Sequence, residues 1–123
     1  MGTSDSAILA IVGGGNMGAA LAGGLLSSGF ITANDLMIVE VLEARRQHLA
    51  QLFPGVTISA TIGPCGSAVI AVKPPDVPAA AEACVGAGAT RVLSIAAGVT
   101  IKTLESACGA GVAVVRAMPN TPA

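Results

Sequence analysis

Gly13-Gly14-Gly15-Asn16-Met17-Gly18 is the stretch that decides the fold of this chain. It has the form G-x-G-x-x-G. It follows an apolar, β-branched run at residues 7–12 and opens an Ala/Leu-rich segment at 17–28. In that position each patterned glycine has a physical task. Gly13 permits a tight turn, Gly15 lets the main chain approach a pyrophosphate, and Gly18 lets a helix pack closely on the preceding strand. A helix opening at Asn16 and Met17 presents N–H groups without intrahelical partners and the positive end of its dipole to an anion. Glu40 closes the next apolar run, 22 residues beyond Gly18. A carboxylate there accepts hydrogen bonds from an adenosine ribose. Strand, glycines, helix, strand and acid together predict dinucleotide binding by Gly13, Gly15, Asn16, Met17, Gly18 and Glu40. Glu40 favours NADH, because a carboxylate repels a 2′-phosphate. Arg45 and Arg46 favour NADPH, because either can turn toward that phosphate. At this level both coenzymes stay open.

Outward from the glycines, short apolar runs at 7–12, 36–40, 56–59, 68–72, 92–96 and 112–117 predict six strands. All but the third are nearly continuous in hydrophobicity, as expected of strands covered on both faces. Helical segments separate them. The first, at 17–28, ends at Gly29, a suitable C-cap. The second spans 43–52, with Leu42, Leu49 and Leu52 on one side and Arg45, Arg46 and His48 among its polar positions. His48 thus reads as a surface residue. Asp76 is a candidate cap for a third helix, with Pro78 in its first turn, and Thr100 for a fourth at 101–108. The link at 60–67, with Gly63, Pro64 and Gly66, is too short and broken for a full helix. Alternating strands and helices at this spacing predict an α/β domain with a Rossmann-like, doubly wound parallel sheet of about six strands. Residues 1–123 read as one dinucleotide-binding domain.

Composition narrows the function classes. Of the 123 residues 53% are hydrophobic and only 11% charged, which excludes disorder and predicts an unusually apolar surface. Such a surface implies that something covers one face, whether a ligand, a second domain or another subunit. Six Lys/Arg stand against seven Asp/Glu, with no basic cluster and no Trp or Tyr, so a nucleic-acid partner is not expected. The uncharged run at 6–34 is long enough to span a membrane but carries Gly13-Gly14-Gly15-Asn16 at its centre. The second such run is broken by Pro64 and Gly66, so no membrane span is expected. Cys65, Cys84 and Cys108 lie 19 and 24 residues apart, and with the lone His48 they make no zinc pattern. They read as reduced thiols of a cytoplasmic protein. The opening Met-Gly-Thr-Ser-Asp-Ser lacks a basic region, so no signal peptide is expected.

Four stretches, in order, carry a resemblance. They are GGGNMGAALAGGL (13–25), AVKPPDV (71–77), SIAAGVTI (94–101) and VVRAMPNTPA (114–123). In them the chain resembles pyrroline-5-carboxylate reductases. The first stretch is shared with many dehydrogenases; the last argues against a related two-domain dehydrogenase. The resemblance implies hydride transfer from NADPH or NADH to the C=N bond of 1-pyrroline-5-carboxylate, giving L-proline. It implies that Ala71, Val72, Lys73 and Pro74, with Ala97, Gly98 and Asn120, border the nicotinamide and its ribose. It implies, further, an all-helical C-terminal domain that dimerises and holds the substrate carboxylate. That domain has no counterpart in these 123 residues, so a homo-oligomer through it belongs to the expectation for the longer protein. No residue stands out as a general acid; water or the substrate can supply the proton. A non-catalytic NAD(P)-binding module is the alternative from another class.

Overall fold

Six short runs rich in Val, Ile and Ala pair side by side in a computed structural model that describes residues 7–117. In chain order the elements are β1 (Ala7–Val12), α1 (Asn16–Ser27), β2 (Leu36–Val39), α2 (Glu43–Leu52), β3 (Thr57–Ser59) and β4 (Cys65–Ile70). They continue with α3 (Val77–Gly86), β5 (Arg91–Ser94), α4 (Ile101–Cys108) and β6 (Ala113–Arg116). The strands form one sheet in the order β3-β2-β1-β4-β5-β6, and every pairing is parallel. That is the doubly wound α/β architecture expected from the glycine stretch.

The apolar runs divide residue by residue between two layers. In β2, Leu36 and Ile38 face one layer and Met37 and Val39 the other. On the first face Ile11, Leu36, Ile38 and Val69 pack with Ala22 of α1 and Leu49 of α2. On the second, Ala10, Met37, Ala68, Ile70 and Val92 pack with Val77, Ala81 and Cys84 of α3 and with Leu104 and Cys108 of α4. Each fully buried Leu or Ile contributes about 1.5–3 kcal/mol. Coverage from both sides holds for β2, whose four residues are all buried, but not for β6, whose Val115 is 56% exposed.

Local chemistry sets the element ends. α1 stops at Gly29 (φ 77°), where Gly29 N donates to Leu26 O and Phe30 N to Leu25 O, the paired bonds of a Schellman motif. Thr100 caps α4, its hydroxyl accepting from Thr103 N at 3.1 Å. Asp76 does not act as the expected side-chain cap. It ends a 3₁₀ turn (Pro74–Asp76) that runs directly into α3, so its backbone is already helical and its carboxylate makes no capping bond. β4 also departs from expectation, spanning Cys65–Ile70 rather than 68–72. Pairing with Ala7 of β1, and the bonds from Ala7 N to Pro64 O and Cys65 N to Ala87 O, extend the strand past Gly66. The link at 60–64 is not helical. It runs along the α3/α4 face, where Ile62 packs on the core and Gly63 N donates to Met37 Sδ at 3.3 Å. Among the described residues no helix is long and apolar enough to cross a membrane.

The three cysteines are free thiols buried in the α3/α4 layer. Burial pushes the Cys84 thiol up to about 12, with smaller contributions from Cys65 and Cys108; burial raises those two as well. A thiol raised in the folded state contributes stability that is intact below its unfolded pKa near 9. That stability is lost as pH rises toward 12, because the unfolded chain ionises first. The melting temperature in reducing buffer is therefore expected to fall between about pH 9 and 11, and more shallowly in Cys84→Ala. Equal slopes would show that Cys84 does not carry the effect.

Candidate functional site

Strand register builds the site's floor. Val39, Val12, Ile70, Ser94 and Arg116 form one row across β2, β1, β4, β5 and β6. The residues that follow them line the carboxyl rim of the sheet: Glu40, Gly13, Ala71, Ile95 and Ala117. Cross-strand bonds continue past the row, from Gly13 N to Val39 O, Ala71 N to Val12 O and Ala117 N to Ser94 O. The chain reverses direction across the sheet between β1 and β4, so the rim beyond Gly13 and Ala71 is the topological switch point where open α/β sheets bind ligands.

The glycine stretch fits that place residue by residue. Gly13 has φ 112°, and a Cβ on it would lie 2.6 Å from Ala71 O, so the loop rests directly on the β4 exit. A Cβ on Gly18 would overlap the carbonyl oxygen of Gly13, which fixes how closely α1 approaches β1. Gly15 is the N-cap of α1, exposed, and a Cβ there would meet nothing within 4 Å. No acidic residue occupies the first turn of α1, and Asn16 and Met17 are exposed beside Gly15. This is a main-chain cradle with open space in front of a helix N-terminus, and a pyrophosphate fits it.

Glu40 stands at the other side of the loop. Its Oε1 accepts from Gly14 N at 2.9 Å and its Oε2 from Leu42 N at 3.0 Å. Arg45 Nε donates to Gly14 O at 2.6 Å. Arg46 Nη1 donates to the carbonyls of Glu40 and Val41, both at 2.9 Å. The Gly14 peptide is thus held at both its N–H and its C=O. Gly14 itself is buried, and a Cβ on it would lie 2.5 Å from Leu49 Cδ1 and 3.1 Å from Glu40 Cβ. In the G-x-G-x-x-G pattern Gly14 occupies a free position. Its constraint comes from Leu49, far along the chain, and no local signal reveals it.

The remaining expected residues reach the same rim. Ala71 and Val72 leave β4 half-buried, and Lys73 and Pro74 are exposed just beyond. Ala97 and Gly98 form an exposed turn after β5, with Gly98 at φ 77°. Asn120 lies outside the described residues. His48 is exposed on α2, as a surface residue.

Fold and switch point define a Rossmann-type α/β domain whose glycine-rich strand–helix loop faces an acidic residue at the end of the neighbouring strand. The chain belongs to the family described as NADP oxidoreductase, coenzyme F420-dependent, whose family model matches residues 8–98. It is 41% identical over 129 aligned residues to a pyrroline-5-carboxylate reductase of Mycobacterium leprae, covering 98% of this chain and 44% of the relative. A pyrroline-5-carboxylate reductase of Mycobacterium tuberculosis is 38% identical over 125 residues, covering 94% of this chain and 42% of that one. Among solved structures, a pyrroline-5-carboxylate reductase from Coxiella burnetii superposes with a TM-score of 0.81 at 26% identity, over 94% of this chain and 45% of that chain. The chain therefore spans less than half the length of these relatives.

Proposed function

We propose that this chain is the coenzyme-binding domain of an NAD(P)H-dependent pyrroline-5-carboxylate reductase of proline biosynthesis. The observation that carries the reading is the rim itself. The open N-terminus of α1 at Gly15 and the fixed Glu40 carboxylate lie together at the carboxyl rim, and the relatives that the chain matches bear the reductase's name. In this reading Gly13, Gly15, Asn16, Met17 and Gly18 hold the pyrophosphate, and Glu40 the adenosine ribose. Ala71, Val72, Lys73, Pro74, Ala97, Gly98 and, beyond the described residues, Asn120 border the nicotinamide end. The bound coenzyme supplies a hydride to the C=N bond of 1-pyrroline-5-carboxylate. The chain's own residues hold and orient it.

The rest of the reading concerns what lies against this domain. An apolar groove of about 380 Å³ runs between α1 and the outer strands, lined by Leu21, Leu25, Phe30, Val69, Leu93 and Val115. Phe30 is 77% exposed. An open apolar surface of this kind supports a further domain of the same protein, through which the reductase forms a homo-oligomer in the cytoplasm.

The test is a titration of the 123-residue chain with NADH and NADPH, followed by an assay of their oxidation with 1-pyrroline-5-carboxylate. Binding without turnover is the expected result, because the substrate-holding part lies elsewhere. Turnover would show that these residues build a complete site, and no binding of either coenzyme would overturn the reading.

A further inference from the structure

We infer that Arg45 is a positioning residue for the coenzyme: by holding Gly14 O it aims the N–H of Gly15 at the pyrophosphate. The inference rests on the reading of the rim as a coenzyme site. It concerns the shape of the loop and not the choice between coenzymes.

The peptide that links Gly14 to Gly15 is the one at issue. Its neighbours on either side are held independently of Arg45. The preceding peptide is fixed by Glu40, whose Oε1 accepts from Gly14 N at 2.9 Å. The following one is fixed by α1, where Ala19 N donates to Gly15 O at 2.9 Å. The peptide between them has glycine on both sides, so its rotation meets little steric resistance. Among the described residues its carbonyl accepts one bond, from Arg45 Nε at 2.6 Å. Arg45 is half-buried in the first turn of α2, 31 residues along the chain from Gly14.

A planar trans peptide points its C=O and N–H in opposite directions, and no peptide bond among the described residues is cis. Holding Gly14 O toward α2 therefore turns Gly15 N–H away from α2, at the exposed N-cap of α1. A Cβ on Gly15 would meet nothing within 4 Å, so an anion has room to reach that donor. A flip of the peptide would reverse the two groups and present a carbonyl oxygen to the phosphate. Arg45 thus keeps the binding-competent loop populated before the coenzyme arrives. The role uses Nε alone and leaves the other guanidinium N–H groups out of it.

The test compares Arg45→Met and Arg45→Gln with the unaltered 123-residue chain in fluorescence titrations with NADH and NADPH. Met places a methyl where Nε stands, which removes the donor at similar length. Gln places an amide nitrogen at the same number of bonds from Cα, which restores a donor without the charge. Arg45→Met is expected to weaken both coenzymes alike, by about tenfold, as a competent loop population of about one in ten requires. Arg45→Gln is expected to bring both back to within about threefold of the unaltered chain. Without coenzyme, the Gly15 amide signal in a nitrogen–proton correlation spectrum is expected to move in Arg45→Met and return in Arg45→Gln. NADH affinity unchanged by Arg45→Met, even with a lower melting temperature, would overturn the inference and leave Arg45 a structural brace. A loss confined to NADPH, or one that Arg45→Gln does not repair, would overturn it too, by showing that the charge acts and not the bond to Gly14 O. If the unaltered chain binds neither coenzyme, the coenzyme-site reading itself fails, an outcome distinct from binding that Arg45→Met leaves unchanged.

Discussion

Gly15→Asp is expected to weaken coenzyme binding at least about a hundredfold while leaving the domain as stable as before or slightly more so. The two effects have opposite signs because the same geometry produces both. Gly15 has φ −73° and ψ −166°, a conformation any residue adopts, and a Cβ there meets nothing within 4 Å. It is the N-cap of α1 and makes no side-chain capping bond. An aspartate supplies that bond and places a negative charge at the positive end of the helix, together adding a few tenths to about 1 kcal/mol. The same carboxylate then occupies the space and the N–H groups that a pyrophosphate needs. Two like charges about 4 Å apart near a protein surface repel by roughly 4 kcal/mol, which exceeds the ~2.7 kcal/mol of a hundredfold loss. Gly15→Ser separates the two contributions, since it caps the helix without adding charge, and its loss of affinity is expected to be about tenfold or less. Thermal unfolding and coenzyme titration on the same three proteins check the prediction. An aspartate variant that binds as the parent does would place the phosphates away from this helix.

The contrast between Gly15 and Gly14 shows how far the sequence could be read. The glycine pattern, its position after an apolar run and the acid at the end of the next strand are local features, and β1, α1, β2, α2 and α4 follow from such features. α2 and α4 lie where the periodicity and Thr100 put them. β4 starts earlier than its local sequence predicts, because Pro64 and Gly66 read as breakers. Pairing with β1 on one side and β5 on the other outweighs the weak local preference of Gly66. Asp76 failed as a cap for a similar reason, since the 3₁₀ turn before α3 had already set its backbone. At the site, the tight turn read at Gly13 and the close packing read at Gly18 are matched by what a Cβ would meet at each, and Gly15 has open space in front of it. What the sequence could not show was the network around Gly14. Arg45 and Arg46 looked like candidates for a phosphate, and only the fold brings the carbonyls of Gly14, Glu40 and Val41 within their reach.

Gly18→Ala, the addition of one methyl group, is expected to cost about 3 kcal/mol or more, the upper range for overfilling a packed interior. The methyl would overlap the carbonyl oxygen of Gly13, with Ile11 Cγ2 a further 3.4 Å neighbour. A flexible side chain could give way, but a main-chain carbonyl beside a turn at φ 112° cannot move without shifting α1 off β1 or distorting the loop. At about 4 °C per kcal/mol for a domain of this size, the melting temperature should fall by more than about 10 °C. Any coenzyme affinity should fall with it, because the loop and the helix N-terminus move together. Gly24 in the same helix supplies the control. It is exposed, and a Cβ on it would meet nothing within 4 Å. Gly24→Ala is therefore expected to stabilise the chain by about 0.5–1 kcal/mol, from helix propensity alone. The two substitutions are the same in chemistry and in secondary structure, so their difference isolates the contact. Equal melting temperatures for the two variants would mean that α1 does not need to approach β1 this closely, and the close-packing role assigned to Gly18 would be wrong.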